Sequence, residues 1–310
     1  MSFNVTGLTN YTNEQSTDLL VKALFSGKTA KLLYDAGQVQ VGVKSASALN
    51  ILSSDVYFQT DGCGYSPSGV TNFTQRVITV GKIKVEETLC PKTLEAKWMQ
   101  TQIAPGSPTE VPFSEQIGLE KSKVIAEKLE IAMWQGTTAT ANTNPNTNKF
   151  DGLLKVITDS AAYVSGNTGS VTAVTSTNIG TILDAIYAAV PARIADKDNI
   201  KLFMGVDNFK LALVNLKNAN LYHYVADATS ELKFIYPGTN VEIIGVGGLN
   251  GTNKMVCTNL DNLFVGTDLA HEEEEVKMWY SMDNDEVRFR MTCKYGVQVA
   301  FPDQVVLFSL

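Results

Sequence analysis

From Val287 to Phe301 the chain alternates: Val287, Phe289, Met291, Cys293, Tyr295, Val297, Val299 and Phe301 are apolar, while Arg288, Arg290, Thr292, Lys294 and Gln298 stand between them. Successive side chains of a strand point to opposite faces, so this spacing predicts one strand with a buried face and a wetter one. At about 3.3 Å per residue it reaches roughly 50 Å, where strands usually stop at about 3 to 10 residues. Gly296 offers a bend that would divide it. A strand of this length asks for an elongated platform rather than a sphere.

A long helix matches it. After the breaker cluster Ala104-Pro105-Gly106-Ser107-Pro108, Ser114 to Trp134 has Ser114 as N-cap, Glu115 in the first turn and an apolar stripe of Ile117, Val124, Ile125, Leu129, Ala132 and Met133. The helix spans about 31 Å at 1.5 Å per residue, and Gly136 ends it.

Upstream, Ser16 to Leu33 has helical spacing at Leu19, Leu20, Ala23 and Leu24, interrupted at Gly27, which predicts an extended arm with one short helix. Asp55 to Phe58 and Arg76 to Thr88 predict the strands of a long hairpin, and turn formers fill the loop between them: Asp61-Gly62, Gly64, Ser66-Pro67-Ser68-Gly69 and Asn72. Ile83 and Val85 are apolar at odd positions but Ile78 and Val80 at even ones, so the phase flips at Gly81 and a bulge or bend belongs there. An isolated two-stranded ribbon is marginal in water, so the body of the same subunit or a neighbour must cover this one.

Between helix and terminal strand the pattern is mixed. Thr137 to Asn148 predicts a solvated polar loop, Leu153 to Ile157 a strand, and Ser176 to Val190 a helix stopped by Pro191. Ile200 to Met204 predicts a strand, Asp207 to Leu216 a helix, and Val241 to Val246, Met255 to Thr258 and Leu263 to Gly266 three further strands. These make a compact α/β unit inside an α+β chain. The acidic run Glu272 to Glu275 predicts a solvated loop or edge.

The 310 residues allow about two packed units at roughly 150 residues each. With 25 basic against 32 acidic residues and a net charge of −7, nonspecific attraction to nucleic acid or acidic membranes is disfavoured. Charged residues make up only 18%, where about 25% is usual, and buried interfaces are depleted in charge, so partners are expected to cover much of the surface. No run approaches the roughly 18 apolar residues of a membrane span, and the start lacks a secretory signal. Cys63, Cys90, Cys257 and Cys293 lie far apart with no C-x-x-C pair, which predicts four separate thiols and no zinc site.

His223 and His271 are the only histidines, without a metal-binding spacing. Gly245-x-Gly247-Gly248-x-x-Gly251 follows a strand but places Asn250 where a dinucleotide turn needs its third glycine, and a strand follows, so we read a hairpin turn. There is no phosphate loop, nucleophile elbow or H-E-x-x-H motif. The expectation is a protein that is not an enzyme and needs no cofactor or metal.

Arm, hairpin, long helix, α/β insert and long terminal strand, in that order, resemble the major capsid proteins of tailed bacteriophages, the Hong Kong 97 shell fold. The resemblance divides the chain into an N-terminal arm at 1–50, an extended hairpin loop and its return at 51–105, and the spine helix and peripheral domain at 106–175. An axial domain at 176–275 and terminal strands returning to the peripheral domain at 276–310 complete it. Lys149-Phe150-Asp151-Gly152-Leu153-Leu154 and Asp283-Asn284-Asp285-Glu286-Val287-Arg288-Phe289 with Gln298-Val299-Ala300-Phe301-Pro302 carry it locally.

The resemblance implies pentamers and hexamers that tile an icosahedral virion shell around double-stranded DNA, held without sequence-specific binding, and assembly in the host cytoplasm without a membrane. The acidic balance fits, since a container that gripped phosphate strongly would hinder packaging. The family places the extended loop over the adjacent subunit, which makes Tyr65, Phe73, Lys82, Lys84 and Glu86 candidate intersubunit contacts. Ile117, Val124, Ile125 and Leu129 would form the spine-helix core. No scaffolding segment precedes the arm here, so the resemblance implies a separate scaffold protein or an already mature chain, with a portal and decoration proteins as further partners. The alternatives are a bacterial encapsulating compartment of the same fold and a soluble α+β enzyme with a scattered carboxylate site.

Overall fold

The computed structural model describes residues 19–65, 67–90, 113–167, 169–219, 232–268, 276–284 and 286–310, with side chains of the long helix described from residue 117. The start of the arm, the breaker cluster, both histidines and the acidic run at 272–275 lie outside the described residues. In chain order, α1 (Lys28–Asp35) and β1 (Val39–Gln40) lead into β2 (Ala46–Asp55), β3 (Val70–Thr79), β4 (Gly81–Leu89) and the long helix α2 (Phe113–Gln135). Then come α3 (Leu153–Ser160), β5 (Val164–Ser165), α4 (Ile179–Ala188), α5 (Ala192–Ala195), β6 (Ile200–Gly205), α6 (Val206–Asn218), β7 (Lys233–Ile235), β8 (Glu242–Val246) and β9 (Met255–Asn259). β10 (Leu263–Thr267), β11 (Val276–Ser281), β12 (Glu286–Val299) and β13 (Val306–Phe308) close the chain.

The alternating segment is the axis of a five-stranded sheet. Every odd residue of β12 is buried, and most even ones are partly exposed. On one side β4 pairs antiparallel along nearly the whole strand, from Val287↔Leu89 to Tyr295↔Gly81. On the other, β11 takes the first half and β10 the second, with β1 parallel to β10 beyond it. Two even residues are buried, Gly296 and Lys294, and the ammonium of Lys294 reaches fully buried Asp268 at 2.7 Å. Gly296 does not divide the strand. Its missing side chain makes room for the chain crossing above, where a Cβ would lie 2.2 Å from the Thr79 carbonyl oxygen.

A second sheet has six strands in the order β5-β13-β9-β6-β8-β7. Leu202 and Met204 of β6, Cys257 of β9 and Phe308 of β13 face a core built with Ile182, Ile186 and Phe209 of α4 and α6. Phe203, Val256 and Leu307, one residue out of phase, join the core of the long helix and the first sheet. Both faces of the sheet are therefore covered, which explains continuous apolar runs in place of alternation. Two expected assignments are corrected. β10 belongs to the five-stranded sheet and not to the axial unit, and the terminal strand β13 pairs with β9 and β5 in the axial sheet instead of returning to the peripheral one. Short apolar runs fit either sheet, and only the pairing partner decides.

The long helix runs slightly beyond the predicted limits, and Gly136 follows it with its amide bonded to Ala132 O at 2.8 Å. Its buried line is Gly118, Ser122, Ala126, Leu129, Glu130 and Met133, a 3-to-4 spacing, while Ile117 and Ile125 are half-buried. Val124 is exposed, which corrects its place in the predicted stripe. Small residues hold the buried side because the arm lies close there, with Ser122 Oγ donating to Leu19 O at 3.4 Å. Glu130 reaches the start of α1, where Thr29 N donates to both carboxylate oxygens at 3.2 Å and Thr29 Oγ1 donates to Oε1. Trp134 Nε1 in turn donates to Thr29 Oγ1 at 2.9 Å, and its ring lies 5.2 Å from that of Phe203.

Two local expectations fail for clear reasons. Residues 153–160 are helical, with Leu153, Leu154 and Ile157 on the buried side; a run as short as Leu153-Leu154-Lys155-Val156-Ile157 fits either period. The glycine cluster after β8 is not a hairpin turn, because β6 lies between β8 and β9 in the sheet. Gly247–Leu249 forms a 3-10 turn against the long helix, and a Cβ on Gly248 would meet Trp134 Cδ1 at 2.3 Å.

Candidate assembly surface

β2 and β3 form a sheet of their own, paired in register from Ala46↔Thr79 at the root to Asp55↔Val70 at the far end. At about 3.3 Å per residue the ribbon extends roughly 33 Å, and residues 56–69 cap it. Its strands are displaced toward the N-terminus from the predicted ones. β2 begins inside the predicted arm, and the β-forming run Val56-Tyr57-Phe58 belongs to the tip.

The register assigns the two faces. Ala48, Leu52, Val77 and Phe73 share the outer face with Ala46, Asn50, Ser54, Thr71, Gln75 and Thr79, so this face carries no charge. Its polar members satisfy one another: Gln75 Nε2 donates to Asn50 Oδ1 at 2.9 Å, and Ser54 and Thr71 hydroxyls are 3.2 Å apart. The cross-strand pair Leu52 and Phe73 stays 57% and 80% exposed. On the inner face Ile78 and Ile51 are buried, so the body covers the ribbon only near its root. At the tip, Phe58 is fully exposed and Tyr65 is 95% exposed. Large apolar side chains in water on a two-stranded sheet mark a surface awaiting cover.

Of the expected contact residues, Tyr65 and Phe73 stand on this ribbon. Lys82, Lys84 and Glu86 do not. They lie on β4, within the five-stranded sheet, where Lys84 Nζ is 2.7 Å from Glu86 and Arg290 Nε is 3.9 Å from it. The phase flip at Gly81 is real, and it marks the passage from ribbon to sheet. A Cβ at Gly81 would lie 2.0 Å from Lys149 O, so the chain crosses there at glycine distance. Beyond it, Lys84 and Glu86 pair within the subunit. Sequence reasoning missed Leu52 and Val77, although a signal existed: between Ala46 and Thr79 only Asp55, Asp61 and Arg76 are charged.

The described residues gather no three His, Cys, Asp or Glu side chains that could hold a metal. A small apolar hollow in the second core touches Cys257, whose thiol burial pushes up to about 12, the opposite of what a nucleophile needs. No disulfide joins the four cysteines: Cys63 and Cys90 are exposed, Cys257 and Cys293 buried. No described helix is long and apolar enough to cross a membrane.

No family model and no curated protein sequence matches the chain. Solved structures do. A chain of the satellite phage P4 procapsid with its size determination protein is 12% identical at a TM-score of 0.58, and the match covers 100% of this chain and 91% of that one. A chain of the capsid of Myoviridae phage XM1 is 13% identical at 0.55, covering 90% and 91%. The virus-like particle from Pyrococcus furiosus is 11% identical at 0.53, covering 96% and 99%. At these identities the likeness is one of fold, and it spans the chain from arm to terminal strand.

Proposed function

Because the chain has the α+β shell fold of these particles, the Hong Kong 97 type, we propose that it is the major capsid protein of a tailed bacteriophage. In this reading it assembles with itself as pentamers and hexamers into an icosahedral virion shell around double-stranded DNA. The observation that carries the proposal is the ribbon, whose uncharged outer face and aromatic tip leave Leu52, Phe73, Phe58 and Tyr65 in water on the isolated subunit. Burying apolar area yields roughly 25 cal/mol per Å², and a shell repeats each such contact many times. Lying over the adjacent subunit supplies the cover. The chain then has no catalytic role, its shell forms in the host cytoplasm, and scaffold, portal and decoration proteins are its partners.

The likeness to the Pyrococcus furiosus particle favours a second reading, the shell of an encapsulating compartment. Size-exclusion chromatography followed by negative-stain microscopy of the expressed chain tests both. Rings or closed shells are expected, and a monomer or small oligomer at all concentrations contradicts both. Nucleic acid in purified particles supports the phage reading; an enzyme cargo without DNA supports the compartment.

A further inference from the structure

We infer that Arg76 binds a carboxylate of a second copy of this chain across the contact made by the ribbon. The inference rests on the shell-subunit reading and names one ion pair within it. Arg76 is the only cation between Ala46 and Thr79. It stands on the inner face of β3 opposite Leu49, with fully buried Ile78 two residues on and buried Ile51 diagonal to it. Arg76 is partly buried beside these apolar neighbours. Desolvation lowers its pKa, and no acid of the described residues offsets that shift.

A guanidinium keeps its proton in any ordinary buffer, and its donors, open to water on the isolated subunit, need a protein acceptor once the ribbon is covered. The ribbon itself offers none. Asp55 stands opposite Val70, six residues up the strand or about 20 Å away, and accepts from Tyr57 Oη at 2.6 Å. Asp61 is in the tip. Beyond Gly81 the nearest acids along the chain are committed, Glu86 to Lys84 at 2.7 Å and Glu87 to Lys121.

A second copy fits the vacancy in charge. The chain carries 32 acids against 25 bases, so a second copy is rich in the group that Arg76 lacks among the described residues. Covering the ribbon would complete the desolvation of the guanidinium. In that setting a forked Arg–carboxylate pair is strong and directional, and lysine does not reproduce it. The apolar outer face supplies contact area, and Arg76 fixes where along the neighbour the ribbon sits.

The test uses the full-length chain and its Arg76→Gln and Arg76→Lys variants. The threshold concentration for shell formation is read by sedimentation at about 0.05 M and about 0.5 M salt, and monomer melting is read below the threshold. Arg76→Gln should raise the threshold about tenfold at low salt and leave monomer melting unchanged. Arg76→Lys should recover part of the loss, and the parent threshold should rise with salt more steeply than that of Arg76→Gln. Equal thresholds and salt responses in parent and Arg76→Gln, with shells forming, overturn the inference and leave the shell reading standing. A lowered monomer melting temperature at an unchanged threshold assigns the acid to the same chain and also overturns it. A parent that never forms shells removes both readings.

Discussion

Glu130 has no cation among the influences on its carboxyl; what it has is the start of a helix and the hydroxyl of Thr29. Burial is the largest influence and pushes the carboxyl above its ordinary value, against the hydrogen bonds from Thr29, Ala30 and Trp134, which pull it down. The folded chain therefore holds this proton more tightly than the unfolded chain. Its contribution to stability is complete below the unfolded value of 4.5 and is lost as pH rises through the raised folded value. Thermal melts from about pH 4.5 to about pH 8 should show the parent losing ground to Glu130→Gln as pH rises. Parallel curves contradict the assignment. Leu129, one residue earlier and on the same buried side, gives a blunter test. Leu129→Asp puts a charge where no partner waits and should cost about 3 kcal/mol or more, read as a lower urea midpoint or loss of soluble subunit. An unchanged midpoint would mean that this side of the helix is not packed.

Elements separate what holds the subunit together from what holds subunits to each other. Gly81 lies where the ribbon becomes β4 and its backbone presses on Lys149. Gly81→Ala should cost about 1 to 3 kcal/mol of subunit stability in urea unfolding, and no change would contradict the close crossing. The outer face of the ribbon should behave in the opposite way. Leu52→Ser with Phe73→Ser removes apolar surface that is already in water, so unfolding should move by no more than about 0.5 kcal/mol while shell formation is lost. A strongly destabilised monomer would show that the ribbon packs on its own subunit.

The same elements show why legibility was uneven. β12 could be read residue by residue because one of its faces is buried and the other is not, and period two then survives in the sequence. Val124 was misplaced because the buried side of the helix is built from Gly118, Ser122 and Ala126, small residues that no hydrophobic pattern marks. β10 and β13 look alike as apolar runs, and their destinations depend on partners far along the chain. The candidate surface was half legible. Tyr65 and Phe73 could be named, but its outer face exists only once Leu52 is set opposite Phe73 by the register.

At the scale of the whole molecule, two sheets share the long helix as a common wall. Phe203, Val256 and Leu307 from one sheet and Phe289, Tyr295 and Val297 from the other meet in a single core with Met133 and Trp134. The body is thereby one continuous packed unit, and the ribbon is what projects from it. The central claim is that this projection serves assembly and not folding. Sedimentation velocity of the full chain beside a variant in which a short Gly-Ser turn replaces Gly62 to Asn72 tests it most directly. The parent should sediment as closed shells, and the variant as a soluble subunit that still melts cooperatively. Shells from the variant indistinguishable from those of the parent, or an unfolded variant subunit, would each contradict the account.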